Sequence, residues 1–116
     1  MLRYAALMQP QTGRKLRPAE RAVITALAPS ITTGLDGALV VEMRDGGMGS
    51  IRFLNGSDRR RSRSIAEAEY MDDDGVSVII ELNVDERDKL FELDLWKVDF
   101  SPLRRYPNPE DLKPLK

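Results

Sequence analysis

Carboxylates are the only side chains in this sequence whose number and spacing suggest chemistry. The chain has no cysteine and no histidine, which excludes thiolate zinc sites, histidine metal ligands and catalytic triads that need an imidazole. Serine and lysine occur in no arrangement that suggests an activated nucleophile. Carboxylates can act as acids and bases, and they also bind cations and basic proteins. We therefore assign no catalytic residue, metal ligand or cofactor from the sequence.

The charges are separated along the chain. The net charge is -1, which by itself predicts neither nucleic-acid nor membrane binding. Residues 1–63 carry 11 lysines and arginines against 5 acidic residues, whereas residues 67–99 carry 3 against 12. The acidic second half favours a basic partner.

One helix and five strands must position these charges. Proline at both ends predicts a helix over residues 18–28, with Val23, Ile24 and Leu27 as its apolar stripe. Alternating residues between turns predict strands at about 38–44, 50–54, 64–71, 76–84 and 89–99. The expected fold class is α+β, with the N-terminal helix packed on one face of a five-stranded antiparallel meander sheet. An irregular, proline-rich C-terminal tail follows.

Alternation places most of the acids on the face away from the helix. Keeping apolar residues opposite one another predicts that Glu67 faces Glu81 and that Glu81 faces Glu92. The predicted row across the sheet is Glu42, Arg52, Glu67, Glu81 and Glu92, flanked by Glu69 and Asp94. Like charges in opposition cost up to ~1 kcal/mol per pair. The row therefore needs a counter-charge from the protein's own arginines, a divalent cation or a basic partner, unless solvent screens it.

The same face carries apolar side chains among the acids. Trp96 lies there with Ile79 and Val98, and aromatic residues ringed by charge are typical of protein contact sites. The predicted binding residues are Glu67, Glu69, Glu81, Glu92, Asp94 and Trp96.

A glycine-rich segment, Asp45-Gly46-Gly47-Met48-Gly49-Ser50, joins the first two predicted strands. Its glycines permit positive φ and close approach by another chain or a phosphate. No Gly-Lys-Ser/Thr follows, so the segment is not a P-loop. It is either a tight hairpin turn or an interaction loop that presents Met48, with Gly46 and Gly47 beside it.

An arginine cluster follows the second predicted strand. Arg59, Arg60, Arg61 and Arg63 could bind phosphate or fold back onto the protein's own acids. The absence of interleaved aromatic residues and the acidic second half argue against nucleic acid.

Asp72-Asp73-Asp74-Gly75 resembles a calcium loop only in part. An EF-hand needs acids at alternate positions before its glycine, and position 70 is tyrosine. We interpret this segment as a hairpin turn.

The length of 116 residues predicts one domain. We expect an N-terminal extension over 1–15, a single α+β domain over 16–112 and a tail over 113–116. The short apolar stretch near the N-terminus is neither a signal peptide nor a membrane span, and we expect a cytoplasmic protein.

Two strings carry a family resemblance. Asp45-Gly46-Gly47-Met48-Gly49-Ser50-Ile51 and the long string over 90–103, LFELDLWKVDFSPL, are similar to a family of small bacterial domains of unknown function. The resemblance covers roughly 16–112 and implies a bacterial origin and a compact one-domain protein. It brings no catalytic residues.

We predict a non-enzymatic protein-binding module that uses its acidic sheet face. Size and charge are similar to those of bacterial immunity proteins, which cover the basic active site of a toxin. The alternatives are a homo-oligomeric structural protein, joined through Ile79 and Trp96, and a carboxylate enzyme that depends on a divalent metal.

Overall fold

Among the residues that the structure describes, one α-helix and a seven-stranded antiparallel sheet form the fold, which is α+β as expected. A computed structural model describes residues 13–31, 35–54 and 60–115. The elements are β1 Arg14–Lys15, α1 Pro18–Leu27, β2 Leu39–Glu42, β3 Ile51–Phe53, β4 Arg61–Met71, β5 Ser77–Asp85, β6 Leu90–Lys97 and β7 Lys113–Pro114.

Helix α1 begins and ends where its prolines predict. Glu20 sits in the first turn, where a carboxylate is favoured, and accepts a hydrogen bond from the Arg17 backbone N–H at 2.8 Å. Arg14 binds the same carboxylate through two nitrogens at 2.9 and 2.8 Å. Val23 and Ile24 are fully buried against the sheet.

The sheet order corrects the predicted five-stranded meander. The order is β1-β2-β3-β6-β5-β4-β7, and the two added strands, β1 and β7, are too short for alternation to reveal them. The meander breaks after β3, because β3 pairs with β6 rather than with β4. Ile51 then lies opposite Leu93, and both side chains are fully buried. Alternation alone cannot choose between these neighbours, since β4 and β6 both offer an apolar face.

The predicted register is right between β4 and β5 and wrong between β5 and β6. Tyr70 pairs with Val78, and Glu67 pairs with Glu81, as expected. Leu82 pairs with Leu93 rather than with Phe91, so Glu81 faces Asp94 rather than Glu92. A slip of two residues leaves every side chain on its own face, so the apolar pattern fits both registers equally.

Strand β2 is displaced by one residue from its predicted register. Glu42 pairs with Ile51 and Val41 with Arg52. Val40 is fully buried, whereas Leu39 is 43% exposed. Three consecutive apolar residues, 39–41, hide the alternation here. Glu42 therefore lies on the helix side, 3.2 Å from Arg17, and does not join the acidic face.

The C-terminal segment is irregular over 98–108 and then joins the sheet. Lys113 and Pro114 pair with Glu69 and Ala68 of β4, which corrects the expectation of an entirely irregular tail. Proline is tolerated there because β7 is an edge strand. The sheet thus uses residues on both sides of the range 16–112; residues 1–12 of the expected extension lie outside the described residues.

Candidate functional site

The six predicted binding residues lie on one face of β4, β5 and β6, the face opposite α1. Glu67, Glu81 and Asp94 are directly opposite one another in three adjacent strands. We call these three residues the acidic row. Glu69 and Trp96 lie one step along the strands, on either side of Ile79. Glu92 lies one step in the other direction, opposite Asn83.

The protein's own side chains compensate part of this charge. Arg61 lies 3.5 Å from Glu81, and Arg52 lies 3.5 Å from Glu92. Hydroxyl groups serve two more acids: Ser50 donates to Asp94 at 3.0 Å and Ser77 to Glu69 at 2.5 Å.

Among the acids of this face, Glu67 is the one whose negative charge is least compensated by neighbouring side chains. No ion pair or side-chain hydrogen bond to its carboxylate is found among residues 13–31, 35–54 and 60–115. Its backbone carbonyl accepts a hydrogen bond from Leu115 at 2.9 Å. The β4 side of this face therefore keeps an excess of negative charge.

Phe91 is buried beside Arg52, with 8% of its surface exposed. The register shifts between Asn83 and Val84 of β5, beside Phe91, where Asn83 pairs with Glu92 and Val84 with Leu90. The Arg52 guanidinium lies over the Phe91 ring, 5.1 Å from its centroid, a favourable cation–π geometry. Arg52 is thereby held beside Glu92 at the margin of the acidic face.

Apolar side chains occupy the other end of the same face. Met71 is 57% exposed and Val98 is 50% exposed, and both flank Ser77 across the sheet. Ile79 and Trp96 lie between this pair and the acidic row. We call Met71, Ile79, Trp96 and Val98 the apolar end.

The glycine-rich segment folds onto the protein itself. The Asp45 carboxylate accepts hydrogen bonds from the Met48 and Ser50 N–H groups at 3.0 and 2.9 Å. A bound phosphate would need these same backbone N–H groups, but the Asp45 carboxylate already accepts their hydrogen bonds. Met48 is only 6% exposed, and its sulfur accepts from the Lys97 N–H at 3.4 Å. The segment is a packed turn in which Met48 faces inward.

The described part of the arginine cluster contacts acids on neighbouring elements. Arg61 reaches Glu81, and Arg63 lies 2.9 Å from Asp88. The Arg60 N–H donates to Glu86 at 3.3 Å. Arg59 lies outside the described residues. Through Arg61, the cluster folds back onto an acid of the acidic row, which is one of the two alternatives that the sequence allowed.

A buried ionic cluster around Lys97 was not predicted from the sequence. This lysine is fully buried, since its position opposite Val78 points it toward the core side of the sheet. Its ammonium lies 2.9 Å from Asp72 and 2.5 Å from Asp74, and donates to the Pro102 carbonyl at 3.2 Å. Three aspartates in a hairpin and two arginines in the tail were the available signal.

Asp72 anchors the C-terminal segment through this cluster. Its carboxylate accepts backbone N–H groups from Arg104 at 2.8 Å, Arg105 at 3.0 Å and Asp73 at 2.8 Å. Burial by itself raises the pKa of Asp72, but the hydrogen bonds from Arg104, Lys97 and Asp73 outweigh it and lower the pKa to about 2. The predicted hairpin turn is therefore also the attachment point for the tail.

The described residues hold no cluster of three acidic side chains arranged to bind a metal ion. No helix among them is long and apolar enough to cross a membrane.

Together, the fold and the face define a small α+β domain with an acidic sheet surface. A family described as a domain of unknown function, DUF6984, matches residues 13–107, and the chain belongs to this family. Comparisons with curated proteins and with solved structures give no match.

Proposed function

We propose that this protein is a non-enzymatic binding module that docks a basic protein on the face of β4, β5 and β6. The observation that carries the proposal is the acidic row, in which Glu67, Glu81 and Asp94 stand directly opposite one another. Like charges in this arrangement repel. A basic surface laid over them removes the repulsion and gains electrostatic complementarity.

The acids of this face differ in how strongly they support the fold. Glu92 is 8% exposed, accepts a hydrogen bond from Asn83 and pairs with Arg52, so reversing its charge would disturb the fold. Glu67 and Asp94 are more open and have fewer contacts. They are the better probes of the face.

The test uses polylysine as a probe and calorimetry as the measurement. The double variant Glu67→Gln with Asp94→Asn is compared with Asp36→Asn with Glu110→Gln, which removes the same charge at exposed positions away from the face. We expect the row variant to lose at least about tenfold in affinity and the control to keep it. Thermal stability should stay equal or rise in the row variant, because repulsion is relieved.

Two results would contradict the proposal. Equal losses in both variants would mean that polylysine responds to net charge alone. Unfolding of the row variant would mean that these acids stabilise the fold.

The most specific form of the proposal is an immunity-type inhibitor that covers the basic active site of a toxin. It includes a bacterial source and a cytoplasmic location, and it is supported by the small size and the acidic face. The test is the adjacent reading frame. Its product should be basic and toxic when expressed alone, and co-expression of this protein should restore growth, whereas the row variant should not.

A further inference from the structure

We propose that the partner presents a basic amphipathic helix to this face. The inference rests on the proposed function and adds the class of the binding element. The acidic row and the apolar end follow each other along the same three strands. Ile79 and Trp96 lie next to Glu81 and Asp94. A helix with a basic stripe beside an apolar stripe matches both parts at once.

Beside the acidic row lies a buried acceptor for which the described residues supply no donor. Asn83 follows Glu81 by two residues on the same face and is 1% exposed. Its Nδ2 donates to Glu92 at 3.1 Å, but its Oδ1 accepts no hydrogen bond from the part of the chain that is described. Such an acceptor calls for an N–H donor, and a lysine or arginine side chain supplies both the donor and the positive charge.

The protein's own arginines hold the acids only loosely. Both the Arg61–Glu81 and the Arg52–Glu92 distances are 3.5 Å, longer than a charge-assisted hydrogen bond of about 2.7–2.9 Å. The Arg61 and Arg52 side chains are 46% and 48% exposed. A cation from a partner can therefore displace them, and Arg61 acts as an internal competitor.

The spacing suits a helix that lies across the strands. Neighbouring strands are about 4.8 Å apart, and successive turns of a helix are about 5.4 Å apart. Basic residues on successive turns therefore fall over Asp94, Glu81 and Glu67 in order. The apolar end begins about 6.7 Å along the strands, within the width of the same helix.

A second copy of this chain fits the face less well. Two copies placed face to face would bring two acidic rows together, and their repulsion would oppose the pairing. The charge of the face thus favours a partner of different composition.

The test uses a synthetic peptide of about 20 residues, about 30 Å as a helix, built from lysine and leucine in an amphipathic pattern. Trp96 is the only tryptophan in the chain, so its fluorescence reports binding at this face. We expect a blue shift with the amphipathic peptide. A scrambled peptide of the same composition should bind at least about tenfold more weakly.

Paired variants separate the two parts of the face. The double variant Met71→Ser with Val98→Ser changes two exposed side chains. It should lower the affinity for the amphipathic peptide about tenfold, while the affinity for polylysine stays constant. The double variant Glu67→Gln with Asp94→Asn should lower the affinity for both polylysine and the amphipathic peptide. Arg61→Ala should raise the affinity for the amphipathic peptide. Arg63 forms its ion pair with Asp88, so Arg63→Ala should leave that affinity unchanged. Circular dichroism checks that each variant is folded.

The outcomes distinguish this inference from the proposed function. Equal binding of the amphipathic and scrambled peptides, or no effect of the Met71 and Val98 changes, would overturn the helix while polylysine binding still depends on the acidic row. Loss of that dependence would overturn both. A Trp96 shift that grows with protein concentration alone, with a dimer by light scattering, would assign the face to a second copy.

Discussion

At the scale of single residues, the most consequential side chains are the ones that serve the fold rather than the face. Lys97 is fully buried and bonded to two carboxylates and a carbonyl. A buried charge is tolerated only when it is paired and hydrogen-bonded. Asp72 meets that condition and also fixes the backbone of Arg104 and Arg105.

We expect Asp72→Asn to lower the free energy of unfolding at neutral pH by about 3 kcal/mol, because Lys97 loses one of its two carboxylates. The effect should depend on pH. Asp72 has a pKa of about 2 in the folded protein and about 4 in an unfolded chain. Its stabilisation is therefore complete above pH ~4 and is lost as the pH falls toward ~2.

Urea denaturation at a series of acidic pH values measures this dependence. The control is Asp73→Asn, whose side chain is 58% exposed and pairs with Arg105; it should cost less than about 1 kcal/mol. If Asp72→Asn loses stability with acid as steeply as the unmodified protein, Asp72 is not the titrating group.

At the scale of elements, the turn between β2 and β3 carries three glycines with positive φ: Gly46, Gly47 and Gly49. Asp45 closes this turn, and the Leu103 N–H donates to the Gly47 carbonyl at 3.2 Å. The turn thus joins the sheet to the C-terminal segment. Its backbone conformation follows from glycine, which alone adopts these angles without steric cost.

We expect Gly49→Ala to lower the free energy of unfolding by about 1–2 kcal/mol, the cost of a side chain in the left-handed region. Gly49 has a φ of +88°. Gly37→Ala is the control, since Gly37 lies outside that region and an added Cβ meets no atom of the described residues within 4 Å. Thermal denaturation compares the two. Equal losses would show that backbone angle is not the cause.

At the scale of the whole molecule, stability should decrease from the centre of the sheet to its edges. β5 and β6 each have a strand on both sides, whereas β1 and β7 are two-residue edge strands. The core cluster includes Val78, Ile80 and Leu82 of β5 and Leu93 and Leu95 of β6. Opening these two strands exposes all five of these core side chains to water.

We therefore expect the slowest amide hydrogen exchange in β5 and β6 and the fastest sheet exchange in β1 and β7. The amides of Arg104 and Arg105 should be protected as well, and Asp72→Asn should remove that protection because it weakens their acceptor. Exchange measured by NMR tests both points. Protection of β7 equal to that of β5 would contradict this order.

The sequence by itself determined the helix, the antiparallel sheet, and which binding residues of β4, β5 and β6 share one face. Prolines bound α1, and period-two alternation placed Glu67, Glu69, Glu81, Glu92, Asp94 and Trp96 on the same side. Both signals are local: they depend on backbone geometry within a few residues. They are insensitive to which strands are neighbours.

Only the tertiary structure decided which strands pair and in what register. β3 pairs with β6 rather than with β4. The observed register between β5 and β6 differs from the predicted one by two residues, so Asp94 rather than Glu92 belongs to the acidic row. A register slip of two residues preserves every face, so the choice depends on how side chains far apart in sequence pack. The buried site of Lys97 has the same origin, since residues from a hairpin and from the tail must first meet.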